Sequence, residues 1–123
     1  MTRERKNKGA RGEERAAEFL RDRGYRILER NYRCPLGEID LIARDGGTVV
    51  FVEVKTRSTE RFGSPQASIG ARKQRRMTAV ALYYLKGKNW LTAPARFDVA
   101  AVSLVEGKET VTLYRNAFDA AGV

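Results

Sequence analysis

The apolar residues recur at different spacings along the chain, and each spacing predicts an element of secondary structure. Between residues 13 and 23 they lie three and four positions apart, the repeat of a helix, and Gly24 supplies a stop signal. A second helical pattern runs from about residue 69 to 85. The remaining apolar runs are β-prone, and the turn-forming stretches "DGG" and "EGKE" divide four of them into two hairpins. The predicted order is α β β β α β β.

This order favours a single α/β domain with a mixed central sheet flanked by helices. The 123 residues suffice for one hydrophobic core and leave no room for a second. We expect residues 1–10 to form a flexible basic arm, residues 11–118 to form the domain, and residues 119–123 to form a tail. Because the basic arm is followed by no long apolar run, the sequence predicts a cytoplasmic protein without a membrane segment.

Composition narrows the chemistry that the chain can perform. The 24 lysines and arginines exceed the 15 acidic residues, and the formal charge is +9. This excess favours a polyanionic partner such as nucleic acid, although a merely soluble basic surface is the alternative. Histidine is absent, which excludes histidine bases and histidine metal ligands. The single Cys34 cannot form an internal disulfide or a thiolate zinc site, so we interpret it as a packing residue.

Acidic side chains interrupt the most apolar hairpin of the sequence, "GEIDLIARDGGTVVFVEVKTR". If the turn consists of residues 46–47, Asp40 lies opposite Glu53, and Glu38 lies opposite Lys55. Side chains alternate between the faces of a strand, so these four would project from the same face. Carboxylates directly opposite each other are destabilising. A metal ion between Asp40 and Glu53 would remove this conflict.

An ordinary solvated strand face is the alternative, with Glu38 and Lys55 forming a weak cross-strand ion pair. Phe51 and Ile42 belong to the same face, however, which indicates that this face is at least partly covered. Charges on a covered face must be paired or bound. Carboxylate oxygens without histidine or thiolate partners suit Mg²⁺ or Mn²⁺ better than zinc or copper.

The first helix offers one more acid. Glu13 shares an apolar stripe with Ala16, Ala17 and Leu20, so it should face inward, at or near the metal site. Glu13 could instead complement the positive N-terminus of the helix, and Glu14 takes its place if the helical register differs by one.

The second helix begins with the basic run "ARKQRRM". Lys73 lies four residues before Met77 on the apolar stripe, which makes it the best candidate in the run for a phosphate contact near the site. Other arginines are candidates for contacts with a nucleic-acid backbone further out: Arg57, Arg72, Arg75 and Arg76. The exposed edges of the hairpins make a homodimer possible.

Asp40 followed by a turn and by Glu53-Val54-Lys55 resembles the motif of the PD-(D/E)xK nuclease superfamily. The restriction-endonuclease-like core of that superfamily has the order αβββαβ, to which this chain would add a C-terminal strand. More narrowly, "GEERAAEFL", "GYRILERNYR", "FGSPQASIGARKQRRM" and "RFDVAAV" look like the bacterial YraN family, similar in fold to archaeal Holliday junction resolvases. The similarity covers about residues 12–102. The sequence departs from the motif at Ile39, which replaces the proline before the first acid.

The resemblance implies a metal-dependent endonuclease that hydrolyses phosphodiester bonds, with DNA favoured over RNA and branched DNA in repair or recombination as a possible substrate. It implies catalytic roles for Glu13, Asp40, Glu53 and Lys55. The Mg²⁺ or Mn²⁺ ligands would be Asp40, Glu53, the Val54 carbonyl and Glu13. Supporting roles fall to Gln66, Lys73 and Glu38. The alternative that the sequence leaves open is a non-catalytic nucleic-acid-binding protein that retains the nuclease fold.

Overall fold

Two helices and five strands follow one another in the predicted order within the part of the chain that the structure describes. The computed structural model describes residues 3–57, 69–105 and 107–120, with the side chains of residues 3–8 left out. Gln66, predicted to be a supporting residue, lies outside these ranges. The elements are α1 Arg3–Asp22, β1 Arg26–Cys34, β2 Gly37–Asp45, β3 Thr48–Arg57, α2 Ala71–Gly87, β4 Ala95–Val105 and β5 Lys108–Phe118.

Helix α1 is longer than its apolar stripe predicts. It begins at Arg3 instead of residue 13, so residues 3–10, expected as a flexible arm, are part of the helix. Its end agrees with the prediction, because Gly24 adopts a left-handed conformation with φ of 87°. The backbone N–H of Tyr25 then donates to the carbonyl of Leu20 at 3.0 Å, which closes the last turn. Neither helix in the described ranges is long and apolar enough to cross a membrane.

The five strands form one mixed sheet in the order β1-β2-β3-β4-β5. Strands β1, β2 and β3 form an antiparallel meander, β4 runs parallel to β3, and β5 is antiparallel to β4. The parallel pair requires a crossover connection, and α2 lies within it. The predicted mixed α/β domain is therefore confirmed, with β3 at the centre of the sheet.

A helix covers each face of the sheet, and each helix has its own apolar core. The core under α1 contains Leu20, Leu41, Val52, Ala100 and Val102. The core under α2 contains Ile42, Phe51, Met77, Val80 and Tyr84. Alternate residues of β3 enter opposite cores. The side chains at the end of this strand therefore project in turn toward α1 and toward α2.

Gly12 allows α1 to approach β3 very closely, next to Glu13. A Cβ atom on Gly12 would lie 1.9 Å from the hydroxyl oxygen of Thr56 and 3.0 Å from its Cβ atom. The helix and the strand therefore meet at a point where only glycine fits without displacement.

The Gly12→Ala substitution is expected to destabilise the fold by about 1–3 kcal/mol, because the added methyl group must push α1 away from β3. Gly9→Ala is the matched control, since a Cβ atom there meets nothing within 4 Å. It should be neutral or stabilising by about 0.5–1 kcal/mol. Urea denaturation of both variants measures the difference. An equal effect of the two substitutions would contradict the close packing at Gly12.

Candidate active site

The hairpin of β2 and β3 has the two-residue turn that the sequence predicts. Asp45 pairs with Thr48 across Gly46 and Gly47, and the register continues to Leu41 opposite Val52. The predicted register is confirmed over these pairs. The ladder ends at Leu41–Val52, so the residues of β2 before Leu41 are free to take another direction.

The regular alternation of side chains breaks at Asp40. Ile39 and Ile42 are three residues apart, yet both belong to the core under α2, whereas Leu41 belongs to the core under α1. Asn31 lies on β1 between Arg30 and Tyr32, which pair with Leu41 and Ile39, and it has a left-handed φ of 53°, a conformation that asparagine tolerates better than most residues. The two strands are therefore kinked together at Asn31 and Asp40. The predicted alternation of side chains through Asp40 was therefore wrong, although β2 continues as one strand from Gly37 to Asp45.

Beyond the last pair of the ladder, Leu41–Val52, the Asp40 side chain forms a hydrogen bond with the backbone of β3. Its Oδ2 atom accepts a hydrogen bond of 2.8 Å from the backbone N–H of Val54 on β3. This bond fixes the Asp40 carboxylate beside Glu53, the residue that precedes Val54. The structure thus brings together the two acids that the sequence predicts to be neighbours.

Glu53 is nearly enclosed, with a side chain only 7% exposed, and two lysines approach its carboxylate. The Lys55 ammonium lies 3.8 Å from Glu53 Oε2. The Lys73 ammonium, which comes from α2, contacts the same oxygen directly. Lys73 thus reaches the site acid from the helical position that its spacing predicts, although its side chain is 45% exposed.

Glu38 does not form the cross-strand ion pair with Lys55 that the alternative of a solvated strand face supposed. Its Oε2 atom lies 3.1 Å from Nε of Arg33, its neighbour on β1. Arg33 was not among the predicted site residues. The signal was available, because a two-residue turn at Pro35 and Leu36 places Arg33 opposite Glu38.

The carboxyl group of Asp40 holds its proton unusually tightly. Burial, followed by the hydrogen bond and the negative charge of Glu53, raises the pKa of Asp40 from 3.8 to about 8, although the Val54 N–H opposes this shift. The charge of Glu13 on α1 adds to the increase. Two acids on adjacent strands and a third on α1 therefore act on one another electrostatically.

An open cleft of about 610 Å³ contains these groups. Four cationic and three acidic side chains line it, together with apolar residues from β1 and α2. The charged residues are Arg33, Lys55, Lys73, Arg76, Glu38, Asp40 and Glu53. Basic side chains around the two carboxylates would attract a polyanionic ligand into the cleft. The predicted nucleic-acid-binding residues Arg57, Arg72 and Arg75 are not among the residues that line this cleft.

Comparison with known proteins places this chain in a family. Residues 12–102 match the model described as "Uncharacterised protein family UPF0102". The chain belongs to the UPF0102 family. A UPF0102 protein of Syntrophus aciditrophicus is 50% identical over 113 residues, which cover 92% of this chain and 89% of the relative. One of Desulfosudis oleivorans is 51% identical over 121 residues, or 98% and 96% of the two chains. The predicted membership of the YraN family is thereby confirmed.

Among solved structures, the chain is similar to Pyrococcus furiosus SfsA in complex with Ca²⁺. The sequence identity is 16% and the TM-score is 0.39. The match covers 81% of this UPF0102 chain and 58% of the SfsA chain. A likeness of this size carries no argument about the site.

The carboxylate pair of this UPF0102 chain fits a divalent cation of the magnesium type. Mg²⁺ commonly uses one or two protein carboxylates and completes its shell with water and substrate phosphate. Burial and the neighbouring Glu53 raise the Asp40 pKa, and a cation bound to both carboxylates would offset both effects. The described residues contain no group of three or more acidic or cysteine side chains positioned to hold a metal. Glu13 is therefore better placed to act through a water than as a direct ligand.

Asp98 of the UPF0102 chain has a different role from that of the two site acids. It is completely buried, and its carboxylate accepts hydrogen bonds from Arg96 at 3.1 Å and from the Asn116 backbone N–H at 2.9 Å. Asp98 lies on the same face of β4 as Ala100 and Val102, which belong to the core under α1. Asp98 therefore lies on the opposite face from Glu53 and stabilises the fold.

The Asp40→Asn substitution is expected to stabilise the protein increasingly as pH rises. Between the ordinary value of 3.8 and the folded pKa of about 8, folded Asp40 keeps a proton that the unfolded chain has lost. Raising the pH through this window therefore lowers the free energy of unfolding. Asparagine stays neutral and can still accept from the Val54 N–H. The variant should gain several kcal/mol over the native chain by the upper end of the window, since each unit of pKa shift corresponds to about 1.4 kcal/mol.

Thermal unfolding of both proteins across this pH window measures the effect. The other titrating groups are common to both chains, so the difference between the two curves isolates Asp40. Parallel curves would contradict the raised pKa.

Proposed function

We propose that this chain is a metal-dependent nuclease that hydrolyses phosphodiester bonds, with DNA favoured over RNA. The observation that carries the proposal is the pairing of Asp40 and Glu53 beside Lys55 in a cleft lined by basic residues. Asp40 and the run Glu53-Val54-Lys55 correspond to the acids and the lysine of the PD-(D/E)xK motif. The proposed substrate includes branched DNA, by analogy with Holliday junction resolvases.

Asp40 and Glu53 would hold Mg²⁺ or Mn²⁺, with help from the Val54 carbonyl and from Glu13 through water. When bound, the ion would polarise the phosphate and lower the pKa of a coordinated water. The chain's own task is to keep the two acids close together despite their repulsion. The Val54 N–H and the kink at Asn31 perform this task before any ion arrives.

Lys55 is the residue placed to assist the reaction itself. Its side chain is 27% exposed and lies against Glu53, so its ammonium group faces the same small space as the carboxylate pair. There it can orient the attacking water or stabilise the negative charge that develops on the phosphate. A fixed charge in a partly buried cleft acts more strongly than it would in water.

Nucleic-acid binding would extend from the cleft over the basic surface. Arg33 and Arg76 line the cleft and can contact phosphates near the site. Arg57, Arg72 and Arg75 would contact the backbone further along. The net charge of +9 supports this view, since contacts with phosphates contribute most of the affinity in sequence-independent binding.

A cleavage assay tests the proposal. Branched, duplex and single-stranded DNA and single-stranded RNA of one sequence are incubated with the native chain in Mg²⁺, Mn²⁺ or a chelator. We expect cutting that requires the metal. If the substrates are bound without cleavage in either metal, and binding weakens steeply with salt, the chain is instead a nucleic-acid-binding protein that keeps the nuclease fold.

A further inference from the structure

Lys73 contacts the same carboxylate that the proposed metal would need. We propose that Lys73 is a positioning residue that neutralises Glu53 in the free protein, is displaced by the divalent cation, and is thereby released to contact a substrate phosphate. This inference rests on the proposed function, because it concerns the same site. It goes further, since it makes metal binding and substrate binding depend on each other through one side chain.

The two lysines near Glu53 differ in a way that assigns this role to Lys73. The Lys73 ammonium contacts Glu53 Oε2 directly, whereas the Lys55 ammonium lies 3.8 Å away. The Lys73 side chain is 45% exposed, so it can turn into solvent without disturbing the core. Lys55 extends from central strand β3 and is less exposed. Lys73 is therefore the movable cation, and Lys55 is the fixed one.

An ammonium group in contact with Glu53 Oε2 opposes the binding of a divalent cation to the same carboxylate. Their repulsion at contact distance is several kcal/mol even at an effective dielectric constant of about 20. The ion that binds the carboxylate pair must therefore displace Lys73. In return, the Asp40–Glu53 pair gains a cation of higher charge, which relieves the repulsion between the two acids.

The start of α2 gives the released lysine a reason to bind phosphate. Lys73 is the third residue of the helix, whose N-cap is Gly70, without a side-chain cap among the described residues. The first turn contains no acidic residue, and a positive side chain is unfavourable at this end of a helix. Glu53 compensates this cost in the free protein. Once a metal neutralises Glu53, a phosphate is the partner that would restore the compensation.

Titration of the protein with Mg²⁺ by calorimetry, at a pH above the Asp40 pKa of about 8, tests the inference. Lys73→Met should bind Mg²⁺ about tenfold more tightly than the native chain, because the competing ammonium is gone. Arg76→Met is the matched control, since it removes one positive charge from the same cleft without removing a contact to Glu53. The affinity of this variant should change by less than about threefold, because Arg76 forms no ion pair with Glu53 among the described residues and its charge acts only through the general field of the cleft.

The outcomes separate the inference from the proposed function. If the native chain binds Mg²⁺ and Lys73→Met binds it no more tightly than Arg76→Met does, the displacement is wrong while the metal site stands. If neither the native chain nor Lys73→Met binds Mg²⁺, both are wrong. Lys73→Gln, which keeps a polar side chain, replaces the methionine variant should that protein not fold. Lys73→Arg, which retains the competing charge, should not gain affinity.

Discussion

Substitution of Glu53 by glutamine is expected to lower the rate of metal-dependent cleavage by about a thousandfold or more while the chain stays folded. Glutamine has the size of glutamate and no charge, so it removes the ligand without opening a cavity. The side chain is almost fully buried beside Asp40, and loss of its charge also removes the repulsion between the two acids. The measurement is the single-turnover rate on the preferred substrate, together with the melting temperature of the variant.

Glu18→Gln provides the matched control. It is the same chemical change on α1, where Glu18 forms an exposed pair with Arg15 at 3.1 Å. Its cleavage rate should stay within about twofold of the native rate, since an exposed pair contributes little. Full activity of Glu53→Gln would exclude the proposed mechanism. Equal loss in both variants would point to a general effect of net charge on substrate binding.

The partnership of Asp40 and Glu53 could be predicted from the sequence because a two-residue turn determines a register. Once Gly46 and Gly47 form the turn, the pairs from Asp45–Thr48 to Leu41–Val52 follow, and Asp40 and Glu53 come next on the two strands. The position of Lys73 followed from an equally local rule, its spacing from Met77 along one helical face. Both predictions needed only residues close together in the chain.

The kink at Asp40 could not be predicted in this way, because it depends on two strands and a helix together. Asn31 must adopt a left-handed conformation on β1 for Ile39 to enter the core under α2. Nothing in the alternation of β2 alone signals this change. The partner of Glu38, in contrast, was open to prediction, because a two-residue turn at Pro35 and Leu36 places Arg33 opposite Glu38.

The extension of α1 was missed for a different reason. Residues 3–10 are polar and carry no apolar stripe, so periodicity gave no signal there. A polar segment can extend a helix that is already packed, because adding a turn to an existing helix is easier than starting one. The residues of the polar segment alone do not indicate this extension. Sequence reasoning therefore predicted the proximity of Asp40, Glu53 and Lys73 more accurately than the extent of the elements around them.

Asp98→Ala is expected to have the largest effect on stability, about 3–5 kcal/mol, because it breaks a buried ion pair from one side. The carboxylate is fully buried and has two partners, the Arg96 guanidinium and the Asn116 N–H. Burial alone would lower the pKa of Arg96, but the hydrogen bond and charge of Asp98 raise it. Without Asp98, the guanidinium retains Asp45 at 3.2 Å and the Tyr25 hydroxyl at 2.7 Å, yet the Asn116 N–H loses its acceptor.

Asp45→Ala is the matched control, because Asp45 and Asp98 both pair with Arg96 and differ in burial. Asp45 also pairs with Arg96, but its side chain is 36% exposed, so its loss should cost only about 1 kcal/mol or less. Denaturant unfolding of the two variants measures both values. Asp98→Ala that folds at low temperature should cleave at the native rate per folded molecule, because Asp98 faces the core under α1. A selective loss of cleavage without loss of stability would instead place Asp98 among the groups that act on the substrate.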